Sequence, residues 1–302
     1  MKITHLLGIA LSIACMTFVS CEKVDTQAPD QEQEEDTSGG IEFGGSTGNN
    51  ENTYIRELRY TYYKSSSGVN MEVYLPTEDK NIKAAVIACP GGGYSSHAAH
   101  EGAVWAPYFN DLGIAFAVLT YTLPAGDPSK PVGDIEKALT ILHKMADKWI
   151  IDKNKIGVMG FSAGGHLACY AATSAGFAAD IKPDFQILMY PVITMVSTTH
   201  NGSRTNLLGA SPSEELLKKY SNELHVTKDT PKAFISFATN ETVVPPATNS
   251  VAFYNAMKTA GASVEYLPIE GDRHGWHHDN ASQVTQYLTP LKEKLTPWLK
   301  NL

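Results

Sequence analysis

From Tyr54 onward, short apolar runs alternate with longer amphipathic segments. Such alternation is typical of parallel strands joined by helices. The pattern predicts strands at 71–75, 84–88, 114–119, 155–159, 185–190, 233–237 and 264–268, and helices at 103–112, 132–148, 163–173, 248–260 and 284–299. Within the last helix, Pro290 and Pro297 are expected to break or restart the helical spacing. The sequence therefore predicts an α/β fold, a mainly parallel sheet with helices on both faces.

One long polar segment, about 192–231, has no strand pattern. In a compact domain, so long a connection is typical of a lid or a binding loop. We therefore predict a single α/β catalytic domain over 54–302 that carries a short lid-like insertion at about 192–231.

The amino terminus is typical of a targeting signal. Lys2 precedes an apolar run, 6–19, that is too short to span a bilayer but fits a signal peptide. Residues 18–21, Phe-Val-Ser-Cys, resemble the lipobox of bacterial lipoproteins. We therefore predict a signal peptide at 1–20 and an exported protein anchored to a membrane by acyl chains on Cys21, in the periplasm or at the cell surface. The alternative is an ordinary secretory signal with an incidental cysteine.

Lipidation is expected to depend on Cys21 alone. Palmitate should label the wild-type protein in bacteria, and the label should disappear in Cys21→Ala, because this variant lacks the thiol that the diacylglycerol group modifies. Labelling that survives the substitution would contradict the predicted anchor.

Composition adds two limits. With 43% hydrophobic and 19% charged residues, the 302-residue chain can bury a full core, which excludes a wholly disordered protein. The net charge of -8 comes from residues 22–53, which hold nine acids and one base, so 21–53 is predicted to be a disordered, self-repelling tether. From Tyr54 onward 23 acids face 22 bases, which argues against a nucleic-acid partner.

Cys89 and Cys169 lie in apolar segments and are expected to be buried free thiols.

A candidate nucleophile follows a predicted strand. Residues 160–164, Gly-Phe-Ser-Ala-Gly, come directly after strand 155–159 and open the helix at 163. This strand–GxSxG–helix arrangement needs small residues around the serine, because the turn is sharp. Ser162 is therefore the candidate nucleophile, and the amide of Ala163 a candidate donor to an oxyanion.

A glycine cluster follows another strand. In the sequence Pro90-Gly-Gly-Gly-Tyr94, Gly92 and Gly93 can present unobstructed amides to a carbonyl oxygen. The alternative is a plain glycine turn.

The candidate base is His274, on a loop after the last predicted strand, where an imidazole can take the proton of a serine nucleophile. A metal site of His274, His277, His278 and Asp279 is the alternative, but no second ligand cluster lies at a typical spacing. The acid is Glu241, on the loop after strand 233–237, unless Glu241 is solvated and another group orients the imidazole.

Several motifs together resemble the bacterial acetyl-esterase-like α/β-hydrolases, in the group that includes acetyl xylan and feruloyl esterases. They are 90–94, 160–168, Tyr190-Pro-Val, Asn206-Leu-Leu-Gly and Val243-Val-Pro. The resemblance implies an ester hydrolase without a cofactor, with Ser162 as nucleophile, His274 as base and Glu241 as acid, and with Gly92, Gly93 and Ala163 in the oxyanion hole. One departure is that Glu241 stands where this family usually has aspartate.

The resemblance implies acylated glycans or small esters as substrates, and we predict an esterase that removes acetyl groups from xylan-type carbohydrate. Tyr94, His200, Arg204 and Trp276 are candidates for lining the sugar site, with loop packing as the alternative for each. Two other functions stay open, a prolyl-oligopeptidase-like serine peptidase and a non-catalytic surface binding protein.

Overall fold

The structure, a computed structural model, describes residues 59–62, 68–174 and 176–302, and for 59–62 only the backbone. Within these residues eight strands form one sheet in the order β1-β2-β4-β3-β5-β6-β7-β8. The strands are β1 Arg59–Tyr62, β2 Met71–Tyr74, β3 Ala84–Cys89, β4 Ile114–Leu119, β5 Ile156–Phe161, β6 Phe185–Met189, β7 Lys232–Ala238 and β8 Val264–Ile269. The pairs β1·β2 and β2·β4 are antiparallel, and β3 to β8 are parallel. The predicted signal peptide, tether and Cys21 lie outside the described residues.

The seven predicted strands are confirmed, with ends that shift by no more than two residues. They are recognisable because buried parallel strands are continuous apolar runs; every residue of β3, β4 and β5 is buried. The edge strand β1 was not predicted, because its four residues, RYTY, contain no apolar run. Its place in the sheet depends on antiparallel pairing with β2.

Helices cover both faces of the sheet, as predicted. They are α1 Ala106–Asp111, α2 Ser129–Met145, α3 Ser162–Thr173, α4 Asn201–Leu208, α5 Glu214–Lys219, α6 Ser250–Ala260, α7 Ala281–Gln283 and α8 Thr289–Lys300. One hydrophobic cluster contains residues of α2, α3 and α6, and a second contains residues of α1 and α8. Alternate residues of β3 feed the two clusters, Ile87 the first and Val86 the second. The sheet therefore lies between two cores.

The two prolines near the carboxyl terminus behave differently. Pro290 is at the start of α8, directly after a π-helical segment, Val284–Leu288, so the helix does restart there. Pro297 lies inside α8 without breaking it, which corrects that part of the expectation. Pro297 and Glu293 are both exposed, so water can bind the Glu293 carbonyl that loses its helical donor.

The insertion at 192–231 contains α4 and α5 and, in the described structure, no strand. Leu207, Leu208 and Tyr220 anchor it in the first hydrophobic cluster. Cys89 and Cys169 are free and buried, as expected. No helix among the described residues has both the length and the apolar character to cross a membrane.

Candidate active site

Ser162 occupies a sharp turn between β5 and α3. It is the first residue of α3 and has a φ of 50°, in the left-handed region that L-residues rarely adopt. The neighbouring glycines are sterically required. A Cβ on Gly160 would lie 2.3 Å from the carbonyl oxygen of Gly164, and one on Gly164 would lie 2.0 Å from that of Cys89. The turn therefore places the Ser162 hydroxyl at the carboxyl end of the central strand, beside a helix amino terminus.

His274 connects Ser162 to Glu241. The Ser162 Oγ lies 2.9 Å from Nε2 of His274, and Nδ1 of the same ring is hydrogen-bonded to Oε2 of Glu241. A carboxylate can only accept here, so Nδ1–H donates to Glu241 and Nε2 is left to accept the serine proton. The structure thus brings together the three side chains that the sequence analysis selected, from the ends of β5, β7 and β8.

The Glu241 carboxylate is almost fully enclosed, with 1% of its side chain exposed against 15% for His274. Burial raises the pKa of this carboxyl, while its bond with His274 and the backbone amide of Val244 oppose the rise. Its second oxygen, Oε1, has no hydrogen-bond partner among the described residues. The imidazole is therefore the main group that stabilises the charge of Glu241.

The glycine cluster after β3 approaches the nucleophile closely. A Cβ on Gly91 would lie 2.9 Å from Cβ of Ser162. Gly92 and Gly93 have φ of 117° and 62°, which suits glycine. Among the described residues, the amides of Gly92, Gly93 and Ala163 donate to no other group. They are therefore available to a ligand oxygen beside Ser162.

His200 is the candidate substrate residue that the structure places beside the site. Its Cε1 would be 3.2 Å from a Cβ on Gly93. Burial, and then the nearby His274, lower the pKa of the His200 imidazole. Arg204 instead donates to the carbonyl of Ser197 within the insertion, so no contact brings it to the nucleophile.

Tyr94 and Trp276 do not line a sugar site. Each is 1% exposed, which corrects the expectation for both. The Tyr94 hydroxyl lies 2.9 Å from Nδ1 of His166, and the Trp276 indole donates to the carbonyl of Arg273. Tyr94 belongs to the first hydrophobic cluster and Trp276 to the second, where each buries a large aromatic side chain.

Protonation of His166 is expected to destabilise the folded protein as the pH falls. Its Nε2 donates to the carbonyl of Tyr220 at 2.7 Å, and burial lowers its pKa to about 4 from the usual 6.5. The unfolded chain therefore binds this proton first, and the free energy of unfolding falls by about 2 kcal/mol from pH 7 to pH 5 through this group alone.

Urea unfolding of wild type and His166→Gln at pH 7 and pH 5 measures this effect. The variant should lose less stability than the wild type over this interval. An equal loss in both proteins would refute the assignment to His166.

Two asparagines that the sequence analysis did not select hold the surrounding loops. Asn206 donates to the carbonyl of Gly93 at 2.8 Å, tying α4 to the glycine cluster. Asn249 is fully buried; it accepts from the amide of Ile193 at 2.9 Å and donates to the carbonyl of Pro245 at 2.9 Å. Asn206 belongs to a motif that carried the resemblance, whereas nothing in the sequence pattern marks Asn249.

The described residues contain no group of three or more His, Cys, Asp and Glu side chains arranged to hold a metal ion. His277 and His278, the neighbours of the candidate base, make aromatic contacts instead. The ring of His277 stacks on His100 at 3.7 Å between centroids, and that of His278 meets Trp105 edge-on.

Known proteins match most of this chain. Acetylxylan esterase of Xylanibacter ruminicola is 35% identical over 250 residues, which are 81% of this chain and 51% of that protein. Endo-1,4-beta-xylanase B of Butyrivibrio fibrisolvens is 34% identical over 254 residues, or 80% of this chain and 40% of that protein. The chain thus spans about half the length of these relatives or less.

A solved structure is similar to this chain in its fold. The acetyl ester-xyloside bifunctional hydrolase from Caldicellulosiruptor lactoaceticus superposes with a TM-score of 0.69 at 30% identity, covering 77% of this chain and 88% of that one. The family model described as BD-FAE matches residues 71–257, from β2 to α6. The chain therefore belongs to the BD-FAE family and has the α/β-hydrolase fold.

Proposed function

We propose that the protein is a serine carboxylesterase that hydrolyses short acyl esters, acetyl esters above all, on xylan-type carbohydrate. The observation that carries this proposal is the hydrogen-bonded series from Ser162 through His274 to Glu241. The names of two similar proteins, an acetylxylan esterase and an acetyl ester-xyloside hydrolase, support ester chemistry on a glycan.

The first half-reaction forms an acyl-enzyme. Nε2 of His274 takes the Ser162 proton while Oγ bonds to the ester carbonyl carbon. The carbonyl electron pair moves to oxygen, where the amides of Gly92, Gly93 and Ala163 donate to it. The imidazolium then gives its proton to the sugar oxygen as the carbon–oxygen bond breaks, and the alcohol leaves.

The second half-reaction returns the enzyme to its starting state. A water molecule gives a proton to His274 and its oxygen attacks the acyl carbon. The tetrahedral intermediate collapses, Oγ of Ser162 regains the proton, and the carboxylic acid departs. Glu241 stays ionised throughout and stabilises the imidazolium, since a carboxylate that neighbours a cation in a buried site keeps its charge.

His200 is the proposed contact to the sugar side of the ester. Its Nδ1 accepts from the amide of Ser203 at 3.2 Å, so the neutral ring carries its proton on Nε2. The Cε1 atom of this ring would lie 3.2 Å from a Cβ on Gly93, and the neighbouring Nε2–H can donate to an ester or ring oxygen. His200→Ala should therefore raise KM for acetylated xylan more than it raises KM for p-nitrophenyl acetate.

An activity profile tests the proposal. Wild type and Ser162→Ala are compared for acetate release from acetylated xylan and for turnover of p-nitrophenyl acetate and a dipeptide amide. The proposal expects the wild type to cleave both esters and leave the amide intact, and the variant to cleave none of them.

Other outcomes separate the alternatives. Preferred cleavage of the amide would support a prolyl-oligopeptidase-like peptidase. Cleavage of p-nitrophenyl acetate without release of acetate from xylan would retain the esterase and reject the glycan. No turnover of any substrate by folded protein would favour a non-catalytic binding protein.

A further inference from the structure

A second buried carboxylate lies beside the site and takes no part in the proposed mechanism. Glu101 is 3% exposed and ends a short 3₁₀ helix, Ala99–Glu101. Among the described residues, its only ion-pair partner within 4 Å is the imidazole of His100, whose Nε2 lies 3.5 Å from Oε1. A carboxylate buried without a strong cationic partner is costly, so its hydrogen bonds must stabilise it.

One oxygen of Glu101 holds the glycine cluster. The amide of Gly91 donates to Oε2 at 2.6 Å, the short distance of a charge-assisted bond. Gly91 has no room for a side chain: an added Cβ would be 2.7 Å from Oε2 of Glu101 and 2.9 Å from Cβ of Ser162. Because Gly92 and Gly93 follow directly, the bond to Gly91 fixes where their amides lie relative to the nucleophile.

The other oxygen of Glu101 holds Tyr190, the residue that follows β6. The Tyr190 hydroxyl donates to Oε1 at 2.9 Å. Burial, and then the charge of Glu101, raise the pKa of this phenol well above its usual value, so it remains a donor. Tyr190 has a φ of 37°, a conformation that requires support from its surroundings.

Tyr190 in turn packs against the loop that carries His274. Its ring lies edge-on to the His274 imidazole, with 5.0 Å between centroids, and edge-on to Trp276 at 4.9 Å. The amide of Trp276 lies 3.5 Å from the Tyr190 hydroxyl. The orientation of the imidazole is therefore coupled to the position of that hydroxyl.

We propose that Glu101 is a positioning residue. Through Gly91 it holds the amides of the oxyanion hole in place, and through Tyr190 it holds the catalytic imidazole in place. This inference rests on the esterase function proposed above. Both groups act on the transition state, and a displacement of about 1 Å in such groups costs about 100-fold in rate.

The first variant is Glu101→Gln, which has the same shape but one acceptor oxygen instead of two. Gly91 N–H and Tyr190 O–H can no longer both donate to it. We expect kcat for p-nitrophenyl acetate to fall by about 10- to 100-fold, with KM changed by less than about threefold. The placement of the amides relative to the imidazole matters mainly in the transition state. The rate of inactivation by a p-nitrophenyl phosphonate, which forms a tetrahedral adduct on serine, should fall in parallel.

Two further variants complete the test. Tyr190→Phe removes the hydroxyl that donates to Oε1 of Glu101. The kcat of the double variant should lie within about threefold of the kcat of the slower single variant, because both substitutions act through one series of contacts. Glu223→Gln is the matched control: like Glu101, Glu223 is a carboxylate on a short 3₁₀ helix, Asn222–Leu224, but it is only partly buried, and burial raises its pKa. Its kcat should equal that of the wild type.

Each protein is compared per active site, counted by the nitrophenolate burst, and by its melting temperature. A purely structural role for Glu101 would lower the melting temperature or the active fraction and leave kcat per site within twofold of wild type, which would overturn the inference. The esterase function would survive that result. A wild type without turnover would overturn both proposals.

Discussion

Ser162→Ala is expected to lower kcat for p-nitrophenyl acetate by about 10⁵- to 10⁶-fold, as for serine nucleophiles in other triads. The variant lacks the oxygen that attacks the acyl carbon, and no other hydroxyl among the described residues is hydrogen-bonded to Nε2 of His274. Alanine keeps the Cβ, so the strain at a φ of 50° is unchanged. We therefore expect the melting temperature to stay within a few degrees of the wild type.

The matched control is Ser129→Ala. Ser129 is exposed at the start of α2, and its hydroxyl donates only to Asp127 at 2.6 Å. This control should keep full activity in the same assay. Residual activity of Ser162→Ala above about one hundredth of wild type, in protein free of contaminating esterase, would show that Ser162 is not the nucleophile.

The second large effect is expected for Glu241→Gln, a decrease in kcat of about 10³- to 10⁴-fold with the fold intact. If the glutamine oxygen faces Nδ1, the bond survives but the imidazolium loses its counter-charge. If the amide nitrogen faces Nδ1, the ring carries its proton on Nε2 and cannot accept from Ser162. Stopped-flow measurement of the acylation burst locates the loss in the chemical step.

Two further variants serve as controls for Glu241→Gln. Glu270→Gln removes an exposed carboxylate directly after β8 and should leave kcat unchanged. Glu241→Asp keeps the charge but draws it back by one methylene, and should fall between wild type and Glu241→Gln. A loss of less than tenfold in Glu241→Gln would mean that another group orients His274.

The sequence predicts the sheet and the three candidate catalytic side chains, because apolar runs, the motif around Ser162 and the order of the strands can all be read along the chain. Buried parallel strands are apolar runs, and β4 begins and ends at the predicted residues. Ser162 lies in a turn whose glycines leave no room for a Cβ. His274 and Glu241 follow from strand order, since side chains at the carboxyl ends of parallel strands share one edge.

What the sequence does not predict depends on contacts between distant segments. Glu101 is buried, and its two oxygens accept from the amide of Gly91, 10 positions away, and from the hydroxyl of Tyr190, 89 positions away. A glutamate in a polar stretch is otherwise typical of the solvated surface. The position of Trp276 next to His274 indicates a place in the sugar site, yet its ring turns inward and stacks on Tyr287 near the carboxyl terminus.

The bond between Ser162 and His274 joins residues 112 positions apart, and His274 lies on a loop beyond β8. A nascent chain synthesised through α3 contains Ser162 and the glycine cluster, but it has neither Glu241 nor His274. In the proposed esterase, hydrolysis therefore begins only when β7 and β8 have docked on the sheet, and regain of turnover marks the end of assembly rather than its start.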